Sequence, residues 1–407
     1  MYPATEFAFD LFTPDALRDP HPILAQMRNI APLYRLNRRE MGHIPWLLTR
    51  YDDCIKLTKD DRFTKNMFRR PSDEVVDSND MSRQAAATIN RHMLTVDPPD
   101  HTRLRNLVHR AFTPRMIREM NGRIQQIADA LIDNMQGKTQ IDLIADYTFP
   151  LAITVIAELL GIPSSDRAKF REWTQTIIID GTRGVGGDRI ATAALEFIMY
   201  FHQLFDERRS TPQEDLISGL LQVEEAGDKL SSEELISMVF LLLAAGHETT
   251  VNLLANGTLD LLKHPDQLQK LRQNPGLIDT AVEEMLRFNG PVGATTMRWA
   301  LEDIEMHGQI IRSGDMVLAS LLGANRDPEV FENPDVFDIT RDPNPHIAFG
   351  NGIHYCLGAP LARMESVVAI NTMLARLPNL ALAVDPDALE WNETILLHSM
   401  TAMPVNI

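Results

Sequence analysis

The stretch from Ser231 to Lys263 constrains this chain more than any other. Its middle, Leu241-Leu-Leu-Ala-Ala, is apolar on every side, and a helix apolar all round must be enclosed rather than laid on a surface. The longest apolar run inside it, Met238 to Gly246, is nine residues, against ~20 for a membrane span. The segment is therefore expected to be the central helix of a large domain. Ser231 or Ser232 can cap it, Glu233 and Glu234 suit its first turn, and Lys263 suits its last. His264-Pro265 ends it, because the residue before proline avoids the helical region.

The rest of the chain fits around such a core. From Pro98 to Lys263 the pattern is mostly helical, with Met116, Met120, Ile124, Ile127, Leu131 and Ile132 at helical spacing. A hairpin is expected near the start, where Pro32–Leu36 and Ile44–Thr49 flank a polar turn at Asn37 to Gly42. Short strand-like pieces return between Thr295 and Ser320, with Gly308 and Gly314 as turns, and a last helix follows Leu357. The reading is a mainly α chain with a minor β part, residues 1–407 forming one domain.

Charge and cysteine usage narrow the function. Lys and Arg number 39 and Asp and Glu 56, a formal net charge of −17; a nucleic-acid binder needs a basic footprint instead. Two cysteines, Cys54 and Cys356, form no disulfide framework and fit a reducing compartment. They are too few for a four-cysteine zinc or iron–sulfur centre. Met1 to Leu11 carries Glu6 and Asp10 and does not read as a signal peptide, so the expected location is cytoplasmic. No His-Glu-x-x-His helix and no Gly-x-Gly-x-x-Gly in a βαβ setting occurs.

Cys356 sits between glycines and a helix, in Phe349-Gly-Asn-Gly-Ile-His-Tyr-Cys356-Leu-Gly358. Glycines let backbone amides approach closely, and a thiolate near a helix N-terminus is stabilised by unpaired amides and the dipole. Read alone, Cys356 is either an anionic sulfur of this kind or a buried residue beside a glycine turn. Cys54, in Asp53-Cys-Ile-Lys-Leu, reads as packing.

The full string matches the haem-thiolate signature of the cytochromes P-450, Phe-Gly-x-Gly-x-x-x-Cys-x-Gly, at every fixed position. Three further motifs follow that family's order: Ala245-Gly246-His247-Glu248-Thr249-Thr250 in the long helix, Glu284-Met-Leu-Arg287, and Arg341 in Phe337-Asp-Ile-Thr-Arg341. The chain resembles the soluble bacterial members of the family over most of its length. The resemblance implies the cytochrome P-450 fold, haem b as cofactor and Cys356 as its axial iron ligand, with monooxygenation as the reaction. It makes Phe349 a neighbour of cysteine loop and haem. It assigns Gly350 and Gly352 to amide contacts near the sulfur and Gly358 to the passage of the following helix beside the porphyrin. His101, Arg105, Arg298 and His354 become contacts of the haem propionates, anions that need charge-assisted hydrogen bonds in a poorly solvated pocket. Glu248 would relay protons through water to bound dioxygen, Thr249 would suppress release of peroxide, and Ala245 and Gly246 would leave room for dioxygen. A local kink or π-like widening is expected there, since Thr249 can bond the Ala245 carbonyl. Glu284, Arg287 and Arg341 would lock the haem-binding core.

By the same resemblance the substrate is a fairly large apolar molecule: polyketide, terpenoid, steroid or fatty acid. Ile89, Leu94, Leu241, Ala244, Ala245, Val292, Ala294 and Met400 are its expected contacts, and Gly181–Gly187 reads as a mobile connection. No reductase or ferredoxin region follows the haem motif, so electrons are expected from NAD(P)H through a reductase and a separate ferredoxin or flavodoxin. His101 to Arg118 holds five arginines and no acid. Within it Arg103, Arg110 and Arg115 are the candidates to steer an acidic electron donor. Two rival readings, a peroxide-driven hydroxylase and a catalytically silent binding or activator module, are opposed by the Glu248–Thr249 pair and by the retained Cys356.

Overall fold

The computed structural model describes residues 9–37, 43–66, 69, 88–174, 176–177, 187–223 and 228–407. Its principal helices are α1 (His21–Ile30), α2 (Tyr51–Leu57), α3 (Asp100–Ala111), α4 (Pro114–Asp133), α5 (Phe149–Leu160), α6 (Gly187–Ser210), α7 (Ser232–Lys263), α8 (Ile278–Asn289) and α9 (Ala359–Arg376). The strands are β1 (Leu33–Arg35), β2 (Trp46–Leu48), β3 (Phe63–Thr64), β4 (Gln140–Asp142), β5 (Arg298–Ala300), β6 (Ile304–Met306), β7 (Gln309–Ile311), β8 (Met316–Ala319), β9 (Ala381–Leu382) and β10 (Pro404–Asn406). Residues 38–42 of the expected hairpin turn and 181–186 of the glycine-rich connection lie outside the described residues.

Helix α7 is the axis. Ser231 caps it and accepts from the Glu234 amide, while the Glu234 carboxylate accepts from the Ser231 amide, a closed capping box. At 32 residues it is about 48 Å long. Among the described residues it is the one helix long and apolar enough to cross a bilayer, yet most of it is buried among α5, α8, α9 and α6. The helix runs without interruption through residues 245–249, which corrects the expected widening. Thr249 Oγ1 does donate to Ala245 O at 2.8 Å; a carbonyl has two lone pairs and can serve a hydroxyl and a backbone amide together. A π-helical turn lies instead at Ile144–Thr148, leading into α5.

Strands cover one end of this helical body. The larger sheet runs β1-β2-β8-β5-β3, antiparallel except for the parallel β2–β8 pair. The β6–β7 hairpin turns on His307 and Gly308, both at positive φ (51° and 71°), a geometry glycine adopts without strain. Cys54, on α2, is fully buried beneath this sheet, and burial pushes its thiol up.

Helix α8 carries the most heavily bonded carboxylate. Glu284 and Arg287 have no exposed side-chain surface, and both guanidinium contacts to the carboxylate are 2.7 Å. Arg341 Nε adds contacts at 3.2 and 3.3 Å, Asn344 Nδ2 one at 3.2 Å, and the Asp338 amide one at 3.0 Å. Removing one partner leaves the other charges buried and uncompensated. Glu284→Ala is therefore expected to cost about 3–5 kcal/mol, read as a fall in the urea midpoint at unchanged m-value.

Where α7 leaves the core, Asp260 is buried with Oδ2 unpaired, and Asn289 Nδ2 donates to Oδ1 at 3.4 Å. Burial raises its carboxyl to about 7, against the pull of Arg326 and Lys263. A raised acid stabilises the fold below its unfolded value near 3.8 and loses that contribution as pH rises through 7. Asp260→Asn removes this dependence. The variant should gain on the wild type between pH 4 and 8 by up to about 4 kcal/mol, at about 1.4 kcal/mol per pKa unit. Urea titrations at fixed pH values measure the difference, and a constant difference would contradict the assignment.

Candidate active site

A central cavity opens between α7 and the loop that precedes α9. Cys356 stands on its floor with Phe349, Gly350, Leu357, Leu361 and Ala362. Gly350 and Gly352 adopt φ of 75° and 74°, a region side chains avoid, and the turn they make lets the Cys356 amide donate to Phe349 O at 2.9 Å. The Cys356 thiol faces the cavity. Burial raises its pKa, while the Gly358 and Ala359 amides and the Arg105 and Arg363 charges pull the other way. A Cβ at Gly358 would lie 3.9 Å from the Cys356 sulfur, an ordinary contact.

The floor is clamped to α8 by residues the sequence reading did not single out. Arg363 on α9 donates to both oxygens of Glu283 at 2.6 and 2.8 Å, and its guanidinium lies 4.5 Å from the Phe349 ring centroid. His346 Nε2 is 3.0 Å from the same carboxylate. Burial pushes Glu283 up, but these two partners hold it at about 2. Adjacent helix positions diverge by ~100°, so Glu283 reaches the cysteine helix while Glu284 reaches Arg341. Paired acids in a row carry no local sign of this division. Glu365, also on the floor and also missed, is buried with Oε2 unpaired, and burial raises it well above the usual carboxylate range.

One rim of the cavity is cationic. Arg105 on α3 donates to Tyr355 O at 2.7 Å. The His101 and His354 rings meet at 4.3 Å, and both nitrogens of buried His101 lack a partner. Arg298 comes from β5 and is 5% exposed; burial lowers it to about 10, only partly offset by Asp97. Burial and the neighbouring cations lower His354 to about 2. Lys65, which the sequence reading missed, lines the same rim. Asp97 is the nearby carboxylate, and it already accepts from the Thr64 hydroxyl, the Lys65 amide and Arg69.

The opposite wall is apolar: Leu94, Leu241, Leu242, Ala245 and Val292 line it, with the Thr249 hydroxyl among them. Four expected contacts are elsewhere. Ile89 is buried in the core; Ala244 lies off the cavity-facing side of α7; Ala294 bridges to Ser320 beside a separate small cavity; Met400 bridges to Trp391. Glu248 does not line the cavity either, and its Oε1 is 3.2 Å from His247 Nε2. Gly246 lines it, but a Cβ there would meet Ile156 of α5 at 2.9 Å. Its smallness thus serves helix packing before it serves space for a ligand. Arg103 is spent on Glu234 and Asp228 at the start of α7, which corrects its place among the docking arginines. Arg110 and Arg115 are exposed, Arg115 pairing with Glu119 at 2.7 Å.

The residues present fit the haem expected from the sequence. A soft sulfur donor stands on the floor, and an apolar wall lies opposite the cationic rim. On that rim the buried His101 ring has unpartnered nitrogens beside Arg105 and buried Arg298, and the carboxylates of an otherwise apolar macrocycle would satisfy such groups.

The cytochrome P450 family model matches residues 187–402. The polyketide biosynthesis cytochrome P450 PksS of Bacillus subtilis (strain 168) is 44% identical over 392 residues, 96% of each chain; its solved structure superposes with a TM-score of 0.89, covering 98% of this chain and 99% of that one. Myxobacterial CYP267B1 in complex with myristic acid gives 0.90 at 47% identity, covering 97% and 98%. P450BioI in complex with a hexadec-9Z-enoic acid ligated acyl carrier protein gives 0.87 at 40%, covering 97% and 99%.

Proposed function

The chain belongs to the cytochrome P450 family and is a cytochrome P450 monooxygenase, and from that premise we propose that it oxygenates a large, mainly apolar molecule of the polyketide or fatty-acid class. The observation that carries the reading is one cavity that joins a cysteine floor, a cationic rim and an apolar wall. The polyketide biosynthesis role carried in the name of PksS and the myristic acid bound to CYP267B1 support the substrate class.

Cys356 would bind the iron through its sulfur, the metal taking the place of the thiol proton. His101, Arg105, Arg298 and His354 would hold the propionates. Haem b, when bound, supplies activation of dioxygen and transfer of one oxygen atom to a C–H or C=C bond. The other oxygen leaves as water, so each turnover takes two electrons and two protons. Leu94, Leu241, Leu242, Ala245 and Val292 hold the substrate by burial alone and exclude water. Thr249 Oγ1 is a hydroxyl of α7 at the cavity; while it donates to Ala245 O, its lone pairs accept a hydrogen bond from water. Glu248, beside His247 on the far side of that turn, is the proton reservoir, reached through water.

Electrons come from NAD(P)H through a reductase and a ferredoxin or flavodoxin. The donor docks over the cysteine loop, where Ile353 and Tyr355 expose apolar surface and the Arg105–Tyr355 bond joins the loop to α3. Arg110 and Arg115 steer its acidic surface.

Four measurements test this. The reduced protein with carbon monoxide should show the red-shifted Soret band of a thiolate-ligated haem, and Cys356→Ser should lose it; its absence in the wild type would favour a silent binding module. Thr249→Ala should release most reducing equivalents as hydrogen peroxide instead of product, and unchanged product per NAD(P)H would remove its role. Faster turnover of the wild type with peroxide alone than with partners would favour a peroxide-driven enzyme. Arg110→Glu with Arg115→Glu should slow partner-dependent reduction about tenfold at low salt. The gap should close as ionic strength rises, and equal rates at low salt would place the docking face elsewhere.

A further inference from the structure

Lys65 is 7% exposed, lines the cavity, and places its ammonium against Thr296 Oγ1. It follows β3, which pairs antiparallel with β5 in the register Phe63↔Ala300 and Thr64↔Trp299. Continuing that register brings Lys65 opposite Arg298. Like charges directly opposite each other on neighbouring strands repel, and burial adds to the cost. The charged and titratable groups around Lys65 come from every neighbouring element: Arg298 from β5, His101 and Arg105 from α3, His354 from the cysteine loop, and His92 and Asp97 from the segment before α3. Asp97 is the single carboxylate among these groups, and its bonds to Thr64 and to the Lys65 amide already occupy it. Burial and Arg298 lower the ammonium pKa well below its ordinary value, with Asp97 only partly opposing. A buried lysine that faces a cavity, opposes an arginine and has its nearest carboxylate engaged keeps its charge best with an anion supplied from inside that cavity.

We propose that Lys65 is a carboxylate-binding residue of the haem site, a further cationic contact beside His101, Arg105, Arg298 and His354. The proposal rests on the haem reading above and extends it to a residue outside the motifs. A cofactor carboxylate between Lys65 and Arg298 converts a repulsive pair into two charge-assisted hydrogen bonds. Lys65 would then contribute to holding the cofactor and not to the oxygen chemistry.

The test compares haem retention in holoprotein variants. Haem transfer from the holoprotein to excess apomyoglobin is followed at the Soret band for the wild type, Lys65→Met, Lys65→Gln and Lys65→Arg. The neutral variants should lose haem about tenfold faster, the effect of one charge-assisted hydrogen bond, and Lys65→Arg should stay near the wild type. Iron protoporphyrin IX dimethyl ester, which lacks the carboxylates, supplies the second arm. The wild type should hold it less well than haem, and the neutral variants should discriminate less between the two. Unchanged loss rates together with unchanged discrimination in the neutral variants would overturn the role of Lys65. Two neutral variants keep the test open should one of them not fold. A wild type that takes up no haem, or gives no thiolate-type spectrum, would instead overturn the haem reading itself.

Discussion

The position of Cys356 depends on two adjacent carboxylates of α8. Glu284 faces inward and gathers Arg287, Arg341, Asn344 and the Asp338 amide, so the loop from 332 to 344 is fixed to the helix by one anion. Glu283, a turn of ~100° away, takes Arg363 and His346. Arg363 belongs to α9, lies over Phe349, and sits seven residues beyond the cysteine. One helix therefore holds both the frame around the site and the helix that follows the cysteine loop. Each bond is charge-assisted and at least partly buried, where such bonds are strongest and least forgiving of a lost partner.

What could be read from the sequence was what local geometry determines. The caps of α7, the turn at Gly350 and Gly352, and the hairpin at Gly308 depend on residues within a few positions of one another. The Thr249–Ala245 bond is local too, being one helical turn. The cysteine string carries its own context, glycines before and a helix after, so the floor of the cavity was legible as a unit. The Glu284–Arg287 spacing gave the pair but not its burial, which depends on residues 325–344 closing over it.

Other features depend on register between distant segments. Arg103 and Arg110 look alike in a basic helix, but Arg103 meets the capping box of α7, 131 positions away. Ala294 and Met400 are apolar and near the right motifs, yet bridges to Ser320 and Trp391 direct them elsewhere. Gly246 shows how a correct position can carry an incomplete reason. Its missing side chain points at Ile156, so with alanine there the Ile156 side chain of α5 would have to shift. Lys65 belongs to no motif; only the β3–β5 pairing reveals that it faces Arg298.

The cavity joins two kinds of charge that the protein alone leaves poorly matched. On the floor, burial favours a protonated thiol while two amides and two guanidinium groups favour the thiolate. On the rim, Lys65 and Arg298 oppose each other with Asp97 only partly offsetting them, Arg105 lines the same cavity, and the two histidines there are driven toward their neutral forms. A cation at the sulfur answers the first mismatch and a pair of carboxylates answers the second. A flat ligand that carries metal at its centre and carboxylates at one edge would answer both with that edge turned toward the rim. The matching side chains are residues 65, 101, 105, 298, 354 and 356, which the fold assembles from four separate stretches of chain.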